Sequence, residues 1–215
     1  MTKIFMIRHC QTDGNANMIL QGYTDCDVNQ VGKEQISLLT ERFSKIQLDA
    51  VYSSPLKRAF KTAQGIASTQ NLSVTAIDSL LELNCGIYDG KPYSEIASID
   101  PDFADIWANR PQDFSPKNGE TMVHAYQRIY NAVTTLAKQN SGKTIACVTH
   151  GGVLRCLLCK LLYDDINKLS TVSFGSNTAV TLLECDDNGN IKIDFMNDAS
   201  HLPESLDKVK IPTGV

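Results

Sequence analysis

The 215-residue sequence predicts an α/β layered fold. Two observations carry this expectation. Short apolar runs with the character of buried strands alternate with segments of helical periodicity for most of the length. Two of those runs, Ile4–Ile7 and Thr144–Thr149, end abruptly in polar groups, Arg8-His9 and His150. A run buried on both faces is typical of a parallel sheet, and ligands of open α/β sheets bind at the carboxyl edge of the strands. The length favours one domain, 1–215, able to form a core without staples.

In chain order, Thr12–Val31 is polar and reads as a loop. Ile36, Leu39 and Phe43 recur at helical spacing and predict a helix from about Gly32 to Ile46. Ala50–Ser54 reads as a second strand, stopped by Pro55. Leu56 to Thr69 reads as a helix with Lys57 and Arg58 in its first turn, against the macrodipole preference. Val74–Ile77 is a third strand. Leu80–Gly86 is a loop with Glu82 embedded among leucines. About 87–118 holds four prolines and four aromatic residues after Lys91, and reads as a lid-like excursion with short helices only. Met122–Gln139 and Val153–Leu162 are predicted helices, Ala179–Glu184 and Ile191–Phe195 strands, and about 200–215 a loosely ordered tail.

A net charge of -4 argues against nucleic acid or an anionic membrane as partner. No apolar window reaches the ~18 residues of a membrane span, no export signal is visible, and seven irregularly spaced cysteines fit reduced thiols. A cytoplasmic location is expected; a homodimer stays open. Two local motifs are decoys. Ser141-Gly142-Lys143-Thr144 ends like a P-loop but runs helix to strand, so it is a turn. Cys156 and Cys159 have metal or redox spacing inside an apolar helix without a second ligand pair, so they are expected to be buried structural cysteines.

Arg8-His9, Arg58, Glu82 and His150 all fall where the sheet's carboxyl edge is expected. Two arginines can hold a phosphate dianion by charge-assisted, fork-like hydrogen bonds. A neutral imidazole can attack phosphorus, a carboxylic acid can protonate the leaving oxygen, and a second histidine can stabilise transition-state charge.

The ordered blocks resemble the histidine phosphatase superfamily, in the branch with cofactor-dependent phosphoglycerate mutases and small-molecule phosphatases. They are Arg8-His9-Cys10-Gln11-Thr12 with Asn15; Leu20-Gln21-Gly22; Ser53-Ser54-Pro55-Leu56-Lys57-Arg58-Ala59; Leu81-Glu82 with Gly86 and Gly90; Gly119-Glu120-Thr121; and His150-Gly151-Gly152. The resemblance implies a three-layer α/β/α sandwich with a mostly parallel sheet, no metal and no cofactor. It implies His9 as nucleophile, Glu82 as proton donor, and Arg8, Arg58, His150 and Asn15 as the phosphate pocket, with Gln21 and Gly151 as further substrate contacts.

Cys10 stands where the family has glycine, so a narrowed site is expected, with a thiolate acidified by two arginines and sensitive to oxidation. The excursion carries few cations (Lys91, Arg110, Lys117), which favours a leaving group larger or less charged than glycerate. The expected activity is therefore a phosphomonoesterase acting on a small molecule, similar to α-ribazole phosphatases or broad-specificity phosphatases. The alternatives are a phosphoglycerate mutase and an inactive phospho-ligand binding module.

Overall fold

A computed structural model describes residues 1–207. Six strands form one mixed sheet: β1 (Thr2–Arg8), β2 (Ala50–Ser53), β3 (Val74–Ala76), β4 (Thr144–Thr149), β5 (Val180–Cys185) and β6 (Ile191–Asp198), in the order β3-β2-β4-β1-β5-β6. Neighbours from β3 to β1 are parallel, whereas β5 and β6 are antiparallel additions on the far side of β1. The start of β5, rather than its end, therefore reaches the carboxyl edge of β1.

The central strands are apolar throughout because both of their faces are covered. Ile4 and Met6 of β1, with Ile145 and Cys147 of β4, pack under α6 (Met122–Gln139) and α7 (Gly151–Tyr163). Phe5, Ile7, Ala146 and Val148 face the other way, into α2 (Gln30–Phe43) and α3 (Lys57–Ser68). Successive side chains thus feed two separate cores, giving helix, sheet and helix layers. Cys156 and Cys159 are buried in the first of these cores, and Gly142, at φ +78°, makes the turn between α6 and β4.

Several expected boundaries change. Thr12–Val31 is not loop throughout: Thr12 Oγ accepts the Asn15 N–H and Asn15 Oδ1 accepts the Thr12 N–H, a capping box that starts the short helix α1 (Asp13–Ala16). Helix α2 begins two residues earlier than expected because Asn29 caps it by accepting the Gly32 N–H. Strand β6 runs on to Asp198. Of the two cations opening α3, Lys57 is balanced by Asp25, whose carboxylate accepts the Lys57 N–H at 2.7 Å and pairs with its ammonium at 3.3 Å.

The excursion is two seven-residue helices, α4 (Tyr93–Ile99) and α5 (Phe103–Asn109), joined to a cluster of Tyr88, Tyr93, Phe103, Trp107 and Phe114 rings. The expectation of a loose tail does not hold as far as residue 207. Leu202 is buried, Gln35 Nε2 donates to Leu206 O, and Ser176 Oγ donates to the Asp207 carboxylate. The rest of that expectation lies outside the described residues. Among the described residues, no helix is long and apolar enough to cross a membrane.

Candidate active site

A cleft enclosing about 710 Å³, including the solvent at its mouth, opens at the carboxyl edge of β1 and β4. Arg8, His9, Asn15, Gln21, Glu82 and Gly151 all line it. Arg58 and His150 are fully buried beside it, the His150 ring 5.1 Å from that of His9. All eight residues expected at the site therefore come together at this edge.

His9 Nδ1 lies 2.6 Å from the Cys10 carbonyl oxygen. A carbonyl only accepts, so the ring proton is on Nδ1 and the Nε2 lone pair is left available in the cleft. Burial, then the charges of Arg58 and Arg8, push the His9 pKa well below the usual histidine range. Burial and Arg58 depress His150 in the same direction. Ser54 Oγ accepts the Leu56 N–H at 3.4 Å and sits 2.7 Å from His150 Nε2. Where that hydroxyl donates to Nε2, the ring proton of His150 is on Nδ1.

Among the described residues, five buried side-chain nitrogen or oxygen atoms have no hydrogen-bond partner, and three belong to this site: Arg8 Nε, Arg58 Nε and His150 Nδ1. Each guanidinium is anchored to backbone carbonyls through other nitrogens. Arg8 Nη1 donates to Gly175 O at 2.6 Å, and Arg58 donates to Thr24 O at 2.7 Å and Gly22 O at 2.9 Å. Asp89 holds that segment from its other side by accepting the Gly22, Tyr23 and Thr24 N–H groups. Asn15 Oδ1 and Gln21 Oε1 are both occupied by Thr12, which leaves the amide N–H₂ groups as the donors these two cleft-lining residues can offer.

Glu82 is surrounded by leucines in sequence but not in space. Its carboxylate accepts N–H groups from Leu83 (2.9 Å), Gly152 (3.0 Å) and Val153 (3.1 Å), the last two at the start of α7. Close approach explains both glycines after His150. A Cβ on Gly152 would stand 2.8 Å from Glu82 Oε1, and one on Gly151 3.2 Å from Arg8 Nε.

The Cys10 expectations are corrected. Its side chain does not line the cleft; it is buried against α3, with its N–H donating to Thr62 Oγ1 and its thiol 3.9 Å from Arg58 O. Its φ is not positive, so the backbone needs no glycine. Burial pushes the thiol up to about 11, away from the reactive thiolate. Peroxide should therefore inactivate the protein and a Cys10→Gly variant at equal rates; protection by the substitution would contradict the buried thiol.

Neutral burial of histidines also has a stability consequence. His201 is lowered to about 4 by burial and by Arg42, and His9 and His150 are depressed in the same direction. Unfolded histidines titrate near ~6.5, so below that pH the unfolded chain binds more protons and stability falls. The contribution is complete above ~6.5 and is lost progressively towards the folded values. A urea midpoint that stayed flat between pH 7 and pH 5 would contradict it.

Sequence reasoning missed Asn177, whose Nδ2 donates to the His9 carbonyl at 2.9 Å, and Phe174, which lines the cleft. Both precede β5 and lie in no motif. Tyr93 and Trp107 of the excursion form the opposite wall.

A model of the histidine phosphatase superfamily (branch 1) matches residues 4–199. The chain belongs to that family. Phosphoserine phosphatase 1 of Hydrogenobacter thermophilus is 30% identical over 205 residues, covering 95% of this chain and 96% of its own. A metal-independent phosphoserine phosphatase of Arabidopsis thaliana is 34% identical, covering 94% and 84% respectively. Among solved structures, Bacillus stearothermophilus YhfR aligns with a TM-score of 0.88 at 28% identity, covering 94% of this chain and 99% of its own. That likeness in fold agrees with the layered mixed sheet.

Proposed function

We propose that this small-molecule phosphatase of the histidine phosphatase family hydrolyses a phosphomonoester through a phosphohistidine on His9. The observation that carries the reading is the neutral His9 imidazole, its Nε2 available, beside three buried donors without partners on Arg8, Arg58 and His150. Phosphate oxygens would satisfy all three donors by charge-assisted hydrogen bonds. Nε2 then attacks phosphorus and the ester P–O bond breaks, its electrons leaving on the alcohol oxygen. Glu82 acts as the general acid that passes a proton to that oxygen. It then takes one from the water that cleaves the P–N bond, returning neutral His9 and releasing phosphate. Guanidinium and imidazole donors balance the charge spread over the equatorial oxygens, so the scheme calls on no metal.

The leaving-group end of the cleft offers the amides of Asn15 and Gln21 and the faces of Tyr93, Trp107 and Phe174; among the described residues lining it, Arg8 is the one permanent cation. This supports a small alcohol recognised by amide donors and apolar contact over one gripped by several cations. Phosphoserine, named for two relatives, is the first ester to test. Inorganic phosphate release from phosphoserine, 3-phosphoglycerate and an aryl phosphate in excess chelator tests the proposal. Release from at least one ester, with the label going to water, supports it. Turnover of none would leave an inactive binding module, and transfer to a second phosphoglycerate a mutase.

A further inference from the structure

Arg128 and Glu120 take no part in the scheme above, yet they meet the acid loop directly. Arg128 is in α6, and all five of its N–H donors are used. Nη1 donates to Ser79 O and Leu81 O, both at 2.9 Å; Nη2 donates to Glu82 O at 3.2 Å and Glu120 Oε2 at 2.7 Å; Nε donates to Glu120 Oε1 at 2.7 Å. A guanidinium with no donor left has nothing to offer a substrate. It gathers the Leu81 and Glu82 carbonyls of a loop that has no strand or helix ladder from Leu81 to Cys85, and the Ser79 carbonyl of the helical turn Asp78–Leu80 just before it. Glu120 sets the plane of the fork by a bidentate pair, and its own N–H donates to Asn84 O at 2.8 Å, on the far side of the same loop. Thr149 Oγ1 adds a donor to Leu80 O at 2.6 Å.

The two ends of Glu82 are thus fixed by different helices. Its carboxylate is held at the start of α7 and its backbone by α6, whose packing on α7 sets the distance between them. We propose that Arg128, oriented by Glu120, is a positioning residue that holds the acid loop so that Glu82 reaches the ester oxygen. This rests on the reading of Glu82 as the proton donor.

The diagnostic is leaving-group dependence. kcat/KM reports only steps through formation of the phosphoenzyme, and there an acid matters for an alkyl ester such as phosphoserine but hardly for p-nitrophenyl phosphate, whose phenolate leaves unaided. Arg128→Met should lower kcat/KM for the alkyl ester on the order of 10²-fold, the scale of an ångström misplacement. The p-nitrophenyl ester should change by less than about threefold, and inorganic phosphate affinity not at all, because Arg128 adds little to binding. Glu120→Gln should show the same bias more weakly, and it is the variant to read if Arg128→Met does not fold. Glu82→Gln is the reference. No bias there would overturn Glu82 as the acid. Bias in Glu82→Gln with equal losses for both esters in Arg128→Met, or in Glu120→Gln where that is the variant read, would overturn the positioning role alone.

Discussion

Replacing His9 with alanine should lower kcat by roughly 10⁴-fold or more while leaving the fold and phosphate binding in place, because a missing nucleophile removes the whole two-step route. Retention of the fold follows from how the residue is held. His9 N donates to Thr149 O, and its carbonyl accepts from Asn177 Nδ2, so the backbone at the end of β1 keeps its partners without the imidazole. The lost ring leaves a cavity open to the cleft, where water can enter at little cost. Arg8, Arg58 and His150 remain to hold the dianion, and a neutral alanine in place of a neutral imidazole does not change their charge. The measurements are steady-state turnover of the best ester, equilibrium dialysis of inorganic phosphate, and trapping of an acid-labile, base-stable phosphoenzyme in the parent protein. Turnover within a hundredfold of the parent, or an undiminished phosphoenzyme in the variant, would remove His9 from the nucleophile's role.

The site was legible in sequence where polar groups interrupt an apolar run. Arg8-His9 and His150 end strands that bury both faces, and such ends fall on one edge whenever the strands are parallel, as β1 and β4 are. What could not be read was direction. Nothing in the run Leu80–Leu83 says that Glu82 turns its carboxylate to two backbone amides at the start of α7, because those amides are some seventy residues away. Cys10 follows His9 in sequence but points into α3, where its neighbours are Thr62 and the Arg58 carbonyl. Asn177 and the Gly175 carbonyl were missed for a topological reason. They precede a strand, and only because β5 runs antiparallel to β1 does that start arrive at the carboxyl edge. The mixed character of the sheet, invisible to periodicity, is what completes the pocket.

Arg58→Met should reduce kcat/KM by about 10³-fold, the upper range for removing one preorganised transition-state donor, and abolish the stabilisation that phosphate gives the parent. Two effects oppose each other in the unliganded protein. The substitution leaves Gly22 O unpaired in a buried setting, at about 1–3 kcal/mol, and takes one of two donors from Thr24 O, which still accepts the Cys26 N–H. It also removes a fully buried cation whose guanidinium is disfavoured by desolvation and repelled by Arg8, and replacing such a charge with an apolar side chain of similar volume is often neutral or stabilising. Asp89 decides between them, since it keeps the Gly22, Tyr23 and Thr24 N–H groups paired and the segment in place. The unliganded melting temperature should then change little. With phosphate present the balance differs: the parent gains RT ln(1 + [L]/Kd), about 2.7 kcal/mol at a hundredfold excess over Kd. The variant, short of one of the three donors and facing a dianion with a single arginine, should show almost none of that gain. Arg58→Lys should fail in the same way, because one ammonium cannot reach both carbonyls and still present a third donor in the geometry of a planar fork. A ligand-induced shift in Arg58→Met equal to the parent's would show that Arg8 and His150 suffice to hold the phosphate. Arg58 would then owe its buried place to the Gly22–Thr24 carbonyls alone.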